Sequence, residues 1–132
     1  MKHKKKLLSQ IYQYTKREKR IDDKLIEFLE ESCDTSFKKV LSIIKNGITK
    51  YIYSPSRRAV WIAIGETNQY LIYPKIYCSC VDFYKNVVIK RKRECCKHLI
   101  AQTICEALND FQTVHFEDLE FANFLDDIKS DI

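Results

Sequence analysis

A chain of 132 residues with 45% hydrophobic residues and only two glycines and two prolines has the composition of one folded domain, which argues against a disordered or loop-dominated protein. Its formal net charge of +5 is unevenly placed: residues 1–20 carry eight Lys or Arg against one Glu, and residues 117–132 carry six Asp or Glu against one Lys. This asymmetry indicates a nucleic acid or a charged protein as partner, or lysines that only solvate helix faces.

The N-terminal lysines are not followed by the long apolar run of a secretory signal, and no apolar run approaches the length of a membrane span. We therefore expect no membrane association and an intracellular protein, in the cytoplasm of a prokaryote or the nucleus of a eukaryote. In such a reducing compartment, the six cysteines are more typical of metal binding than of disulfide bonds.

Three amphipathic helices are predicted in the first part of the chain, residues 1–48. Apolar residues recur at helical spacing over residues 5–19, over residues 22–32, and from Phe37 until Gly47 ends the third helix. The apolar stripes of these helices are most simply explained as core.

The pattern changes in the second part, residues 49–112, to segments rich in β-branched and aromatic residues. Strands are predicted over residues 49–53, 58–64 and 69–73, as an antiparallel hairpin or a three-stranded meander. The last of these strands leads towards Cys78, and residues 81–88 are expected to form a short helix or an irregular loop.

Two helices are predicted in the C-terminal region of the chain. One begins at Cys96 and extends to about Phe111, and an acidic helix within residues 113–132 covers about residues 116–128. The predicted fold class is therefore α+β in a single domain, residues 1–132. N-terminal helices and a β-hairpin or meander lead into the cysteine-containing segment of residues 78–98, which C-terminal helices follow.

A closed set of metal ligands lies in the middle of this arrangement. Cys78-Ser79-Cys80 is followed after fifteen residues by Cys96-Lys97-His98. Three sulfurs and one imidazole match the tetrahedral Cys₃His shell of a structural zinc site, which leaves no open position for a substrate. The neighbouring Cys95 is a competing ligand, but the Cys-x-His spacing favours Cys96.

No arrangement of residues typical of catalysis accompanies these ligands. The glutamate and the Pro-Cys-x-x-Cys partner of a zinc deaminase, the Gly-rich phosphate loop and a paired nucleophile and histidine are all missing from the sequence. We therefore expect a protein that is not an enzyme. Cys33 and Cys105 lie on apolar helix faces and are interpreted as small buried hydrophobes.

The cysteine and histidine signature resembles the SWIM zinc finger, whose pattern is C-x-C followed by C-x-H. Two further features, the lead-in Ser54-Pro55-Ser56-Arg57 and the extension of Cys96-x-His98 to Ala101, are similar to the small Shu-type SWIM proteins of homologous recombination. Those proteins pair with paralogues of the RecA-family recombinase. The resemblance covers roughly residues 54–108.

This resemblance implies a non-enzymatic accessory factor that binds a RecA-family recombinase paralogue and assists assembly of the recombinase filament on single-stranded DNA. By matching position, zinc would be held by Cys78, Cys80, Cys96 and His98. Ala101 would occupy the position of the family's signature alanine, which supports partner binding. The residues alone are equally compatible with Ala101 as plain helix core.

Direct nucleic-acid binding is the alternative function that the residues suggest. The candidate cations are Lys85, Lys90, Arg91, Lys92 and Arg93, and the candidate stacking aromatics are Tyr77, Phe83 and Tyr84. The two functions can coexist. Salt-dependent binding of single-stranded DNA by the purified protein alone, rather than only with a partner, would distinguish them.

Overall fold

The computed structural model describes residues 7–65 and 67–131, and over these residues it confirms the α+β class. Three helices come first: α1 (Leu7–Glu18), α2 (Asp23–Ser32) and α3 (Phe37–Asn46). The carboxylate of Asp22 accepts a hydrogen bond from the Leu25 N–H at 3.0 Å, which caps α2 at its N-terminus. Gly47, with φ of 105°, ends α3 in a backbone conformation that glycine adopts without strain.

Five strands form one mixed sheet in the described part of the chain: β1 (Ile48–Ser54), β2 (Arg58–Ile64), β3 (Gln69–Tyr73), β4 (Tyr77–Cys78) and β5 (Gln112–Glu117). Their spatial order is β4-β3-β2-β1-β5. The first three strands form the predicted antiparallel meander, β4 adds antiparallel to β3, and β5 pairs parallel to β1 with Thr49 opposite Gln112.

Helix α4 (Lys97–Leu108) is the central helix of the fold, since it packs against α1, α3 and the first four strands. Every residue from His98 to Cys105 is buried, which is typical of a helix enclosed on all sides. Side chains such as Ile100 and Ile104 have no exposed surface, and burial of each contributes about 1.5–3 kcal/mol to folding. Asn109, in the left-handed conformation with φ of 57°, ends α4.

The two faces of the sheet bury different side chains. On what we call the helical face, Trp61 and Ala63 of β2 join the core formed with α1 to α4. On the opposite face, which we call the aromatic face, Val60 and Ile62 pack with the residues of helix α5 (Phe121–Asp131). The members of this second cluster are Tyr51, Tyr53, Val60, Ile62, Leu71, Tyr73, Phe116, Phe121, Phe124, Leu125 and Ile128. Alternation along β2 therefore directs successive side chains into two separate cores.

The prediction of a helix from residue 116 was wrong at its start. Residues 112–117 form β5, a 3₁₀ turn follows at Asp118–Glu120, and α5 begins only at Phe121. The run Thr113-Val114-His115-Phe116 has the β-branched and aromatic character of a strand, and β1 provides its pairing partner far away in sequence. The predicted end of α4 near Phe111 was also too late, since α4 ends at Leu108.

Candidate metal centre

The four predicted metal ligands meet at one buried point. The ligand atoms of Cys78, Cys80, Cys96 and His98 all lie within 4.8 Å of one another, and all four residues are buried. Ligands of a tetrahedral zinc ion lie roughly 3.5–3.8 Å apart, given Zn–S bonds of about 2.3 Å. The cluster is therefore close to the size that a zinc ion requires.

The first pair of ligands is positioned by the edge of the sheet. Cys78 ends the short strand β4, opposite Ile72 of β3. Ser79 then makes two hydrogen bonds with Leu71: its N–H donates to the Leu71 carbonyl at 3.0 Å, and its Oγ accepts from the Leu71 N–H at 3.0 Å. Ser79 thus holds the backbone between the two cysteines against β3 and fixes the direction in which each sulfur points.

The second pair of ligands is positioned by the start of α4. Cys96 is the N-cap residue of this helix, and His98 lies in its first turn. The Leu99 N–H donates a hydrogen bond to the Cys96 sulfur, and the Phe83 N–H donates to the Cys80 sulfur at 3.3 Å. These backbone donors and the positive end of the helix dipole stabilise thiolates, which are the form of cysteine that binds metal.

The thiols share their protons unequally in the absence of a metal ion. Hydrogen bonds with Cys78 and Cys96, and then with His98, hold the pKa of Cys80 well below its usual range, against the effect of burial. Hydrogen bonds with Cys80 and Cys96, together with burial, raise the pKa of Cys78. One thiolate therefore forms readily, and a divalent cation would displace the remaining thiol protons on binding.

His98 provides the most direct test of whether a metal fits. Its imidazole hydrogen-bonds the Cys80 sulfur and so faces the ligand cluster, while its buried Nδ1 atom has no hydrogen-bond partner among the described residues. The Tyr70 ring lies against the imidazole, with ring centroids 4.3 Å apart, and restricts its rotation. An oriented imidazole with three convergent sulfurs fits a zinc ion, and these four residues would hold it without an open coordination position.

The loop between the two ligand pairs is folded rather than irregular. Residues Phe83–Ile89 form a π-helical segment, which is rare and often found at functional sites. The Asn86 carbonyl accepts hydrogen bonds from the Lys92 and Arg93 N–H groups at 2.7 and 3.2 Å. The Arg93 guanidinium then reaches both carboxylate oxygens of Asp82, at 2.5 and 2.7 Å. These contacts bring the end of the loop back beside Cys80.

The cations predicted to bind nucleic acid fall into two groups. Lys85, Lys90, Arg91 and Lys92 are exposed. Arg93 differs, because its side chain is only 28% exposed and its guanidinium is bound to Asp82. The structure therefore places Arg93 within the loop and the other four on its surface.

Ala101 has no exposed surface and lies in the core on α4, one turn after the ligand His98. Any influence of Ala101 on a partner would act through the packing of α4, because a partner cannot touch this side chain in the folded protein. The interface role of Ala101 therefore stays a prediction, in which this residue affects the partner indirectly through the packing of α4.

The cysteines outside the ligand set are buried free thiols. Burial raises the pKa of Cys33 to about 11 and that of Cys105 to about 12, and it raises the pKa of Cys95 as well. These three thiols are therefore protonated at neutral pH and chemically unreactive. Cys95 is adjacent to Cys96 in sequence but does not belong to the ligand cluster.

Sequence reasoning missed the residues that support the ligands: Tyr70 against His98, Ser79 against β3, and Asp82 with Asn86 in the loop. The Asn86 amide donates to Asp82 at 2.7 Å, so one carboxylate organises both ends of the loop. The only available signal was position in the sequence, since Ser79 and Asp82 flank the ligand Cys80.

Among the described residues, no helix combines the length and apolar character that crossing a membrane requires.

Comparison with known proteins identifies relatives of one kind. The chain is 31% identical over 98 residues to the zinc finger SWIM domain-containing protein 7 homolog of Dictyostelium discoideum, with 73% of this chain aligned. It spans 63% of that relative's length, less than two thirds. No family model matches the chain, and no solved structure matches it.

Two mammalian relatives align over 121 residues, which is 90% of this chain. The mouse zinc finger SWIM domain-containing protein 7 is 30% identical, with 80% of its length covered, and the human protein is 26% identical, with 86% covered. At 121 residues, each alignment is much longer than the segment from Cys78 to His98 that contains the ligands. The chain therefore belongs to the family of zinc finger SWIM domain-containing protein 7.

Proposed function

We propose that this protein is a non-enzymatic accessory factor of homologous recombination that binds a RecA-family recombinase paralogue and assists assembly of the recombinase on single-stranded DNA. The observation that carries the proposal is the Cys-x-Cys and Cys-x-His-x-x-Ala pattern, which resembles that of the Shu-type SWIM proteins. Membership of a SWIM zinc-finger family supports it, as does the meeting of the four ligands at one buried point.

The metal in this proposal is zinc, and its role is structural. Four protein ligands complete a tetrahedral shell, so the ion has no position left for a water molecule or a substrate. Zinc would join the β4 edge to the start of α4, two segments separated by the loop of residues 81–95. The ion would thereby rigidify the part of the chain that the resemblance assigns to partner binding.

The proposal is tested by purifying a tagged form of this chain from its native cell and identifying the retained proteins by mass spectrometry. We expect a RecA-family ATPase to be retained in near-equal amount. The matched controls are Cys96→Ser, which should lose the ATPase, and Cys95→Ser, which should keep it. If the folded, zinc-loaded chain retains no RecA-family protein, the proposed function is wrong.

Direct binding of single-stranded DNA is the second candidate, favoured by the exposure of four loop cations beside the exposed Tyr84 ring. Changing Lys90, Arg91 and Lys92 to Gln while keeping Arg93 removes the exposed charges and spares the ion pair with Asp82. If the loop contacts phosphates, the salt dependence of binding should flatten by up to roughly 2–3 units. Absence of binding by the isolated protein would leave partner binding as the sole proposed function.

A further inference from the structure

Exposed apolar side chains are concentrated beside the metal centre. Among the described residues, nine large hydrophobic side chains are exposed, and six of them lie within residues 76–89. These six are Ile76, Tyr77, Val81, Tyr84, Val88 and Ile89. Single exposed hydrophobic residues are ordinary, but a cluster of this kind is typical of a surface that another molecule covers.

The π-helical segment explains how these side chains come to face outward. Its hydrogen bonds join residues five apart, as in the 2.9 Å bond from the Lys90 N–H to the Lys85 carbonyl. Phe83 is buried and Val87 packs on the core, whereas Tyr84, Val88 and Ile89 are 61%, 48% and 58% exposed. The segment therefore has one face in the core and a second apolar face on the surface.

The neighbouring turn between β3 and β4 extends this outer surface. The Tyr77 ring contacts the Phe83 ring edge to face, with centroids 5.6 Å apart, and so joins β4 to the π-helical segment. Ile76, 76% exposed, lines with Val87 a cleft of about 820 Å³ that continues towards α1. The ring contact and the shared cleft therefore place the β3–β4 turn beside the π-helical segment.

The charge at the margin of this region is positive on balance. Lys85, Lys90, Arg91 and Lys92 are exposed, and none forms an ion pair within the described part of the chain. Of the carboxylates nearby, Asp82 binds Arg93, and the exposed Asp34 and Glu94 are outnumbered by the four cations. We call these six apolar and four basic residues the apolar–basic surface.

We propose that the apolar–basic surface is the docking site for a protein partner that presents aliphatic side chains flanked by carboxylates. Charge complementarity sets the acidic character of that partner, since the four cations form no ion pair among the described residues and outnumber the carboxylates beside them. Ile76, Val81, Val88 and Ile89 favour a protein over a nucleic acid, because aliphatic side chains offer no stacking plane to bases. This proposal deepens the proposed function and rests on it, because it names the surface on which the partner would dock.

The test uses the whole chain, loaded with zinc and labelled with ¹⁵N, and a short synthetic peptide with leucines at helical spacing among glutamates. Amide shifts should change at residues 75–92 and not on the aromatic face, and added salt should weaken binding. Val88→Ser with Ile89→Ser should weaken binding by about tenfold. The matched control, Ile64→Ser with Leu119→Ser, removes two exposed hydrophobic side chains elsewhere and should leave binding unchanged.

Two companion probes distinguish the chemistry of the partner. Versions of the peptide with serine for leucine or lysine for glutamate should not bind, and oligothymidine should not displace the original peptide. The proposal is overturned if no shifts appear at millimolar peptide, if the lysine version binds equally, if the Val88 and Ile89 changes have no effect, or if oligothymidine alone occupies the surface. This result is independent of the purification from native cells, so either proposal can fail while the other stands.

Discussion

The two faces of the sheet are stabilised by different means. On the helical face, α4 is held at its start by the ligand cluster and is buried by α1 and α3. On the aromatic face, rings pack in the order Phe116, Tyr51 and Phe124, with centroids 4.9 and 5.4 Å apart, and none of these side chains is a metal ligand. Metal binding and aromatic packing are therefore separate contributions to one fold, and substitutions can change one without the other.

The largest effect is expected from Cys96→Ser. A structural zinc ion contributes on the order of 10 kcal/mol to folding, which is comparable with the whole stability of a small domain. Since α4 packs on α1, loss of zinc should raise amide hydrogen exchange in both helices and in the π-helical segment before it affects α5. Zinc content and hydrogen exchange measured on the same sample check this expectation.

The control for that change is Cys95→Ser, which removes the adjacent thiol and should leave zinc content at one ion per chain. Retained zinc in Cys96→Ser together with lost zinc in Cys95→Ser would show that the ligand assignment is wrong.

Tyr53→Ala should produce the reverse pattern on the aromatic face. Tyr53 is only 1% exposed, and its ring packs on Phe116 and Phe121 with centroids 5.5 and 5.1 Å apart. Truncation of a large buried aromatic side chain costs about 3–5 kcal/mol. Urea unfolding should reveal this loss, while elemental analysis still finds one zinc per chain. The control variant Tyr53→Phe keeps the ring and should stay near the wild-type stability. Loss of zinc from Tyr53→Ala at low urea would mean that the two faces of the sheet are coupled.

Ala101→Thr probes the helical face next to the metal without removing a ligand. Overpacking of a fully buried position costs about 1–3 kcal/mol, so the melting temperature should fall while zinc content stays near one per chain. We predict that partner co-purification falls by more than the unfolded fraction explains, because Ala101 lies one turn from His98 on α4. Partner affinity equal to that of the wild type in the folded variant would contradict an interface role for this residue.

Asp82→Asn should have the smallest effect of these substitutions. The ion pair of Asp82 with Arg93 is partly exposed, at 32% and 28% of the two side chains, so its contribution to stability is about 1 kcal/mol. A double-mutant cycle with Arg93→Gln measures the coupling between the two groups by urea unfolding. A coupling energy near zero would mean that the backbone hydrogen bonds to Asn86 close the loop without help from the ion pair.

Local patterns were sufficient to predict most of the helical face. The predicted strands at residues 58–64 and 69–73 coincide with β2 and β3, and Gly47 ends α3 as expected. The ligand cluster was also predictable. Local backbone geometry brings together the two cysteines of Cys-x-Cys, and likewise the two ligands of Cys-x-His at the helix start, so the loop needs to fold back only once to join the two pairs.

The rest depended on contacts between residues distant in sequence. Strand β5 forms beside β1, some sixty residues earlier in the chain, and nothing within residues 112–117 identifies that partner. Arg93 belongs to a run of four cations, and only the folded loop brings this one cation to Asp82. Only the structure separates the exposed cations from Arg93; those exposed cations are Lys85, Lys90, Arg91 and Lys92. The structure was also needed to find that the apolar residues beside them are exposed.

We expect three cysteines and one histidine to hold a zinc ion that fixes the start of α4. X-ray absorption at the zinc edge of freshly purified, reduced protein tests it most directly, because the bond lengths report the ligand types. We expect three sulfur ligands at about 2.3 Å and one nitrogen ligand at about 2.0–2.1 Å. Absence of zinc, or a shell of four sulfurs in which Cys95 replaces His98, would contradict it.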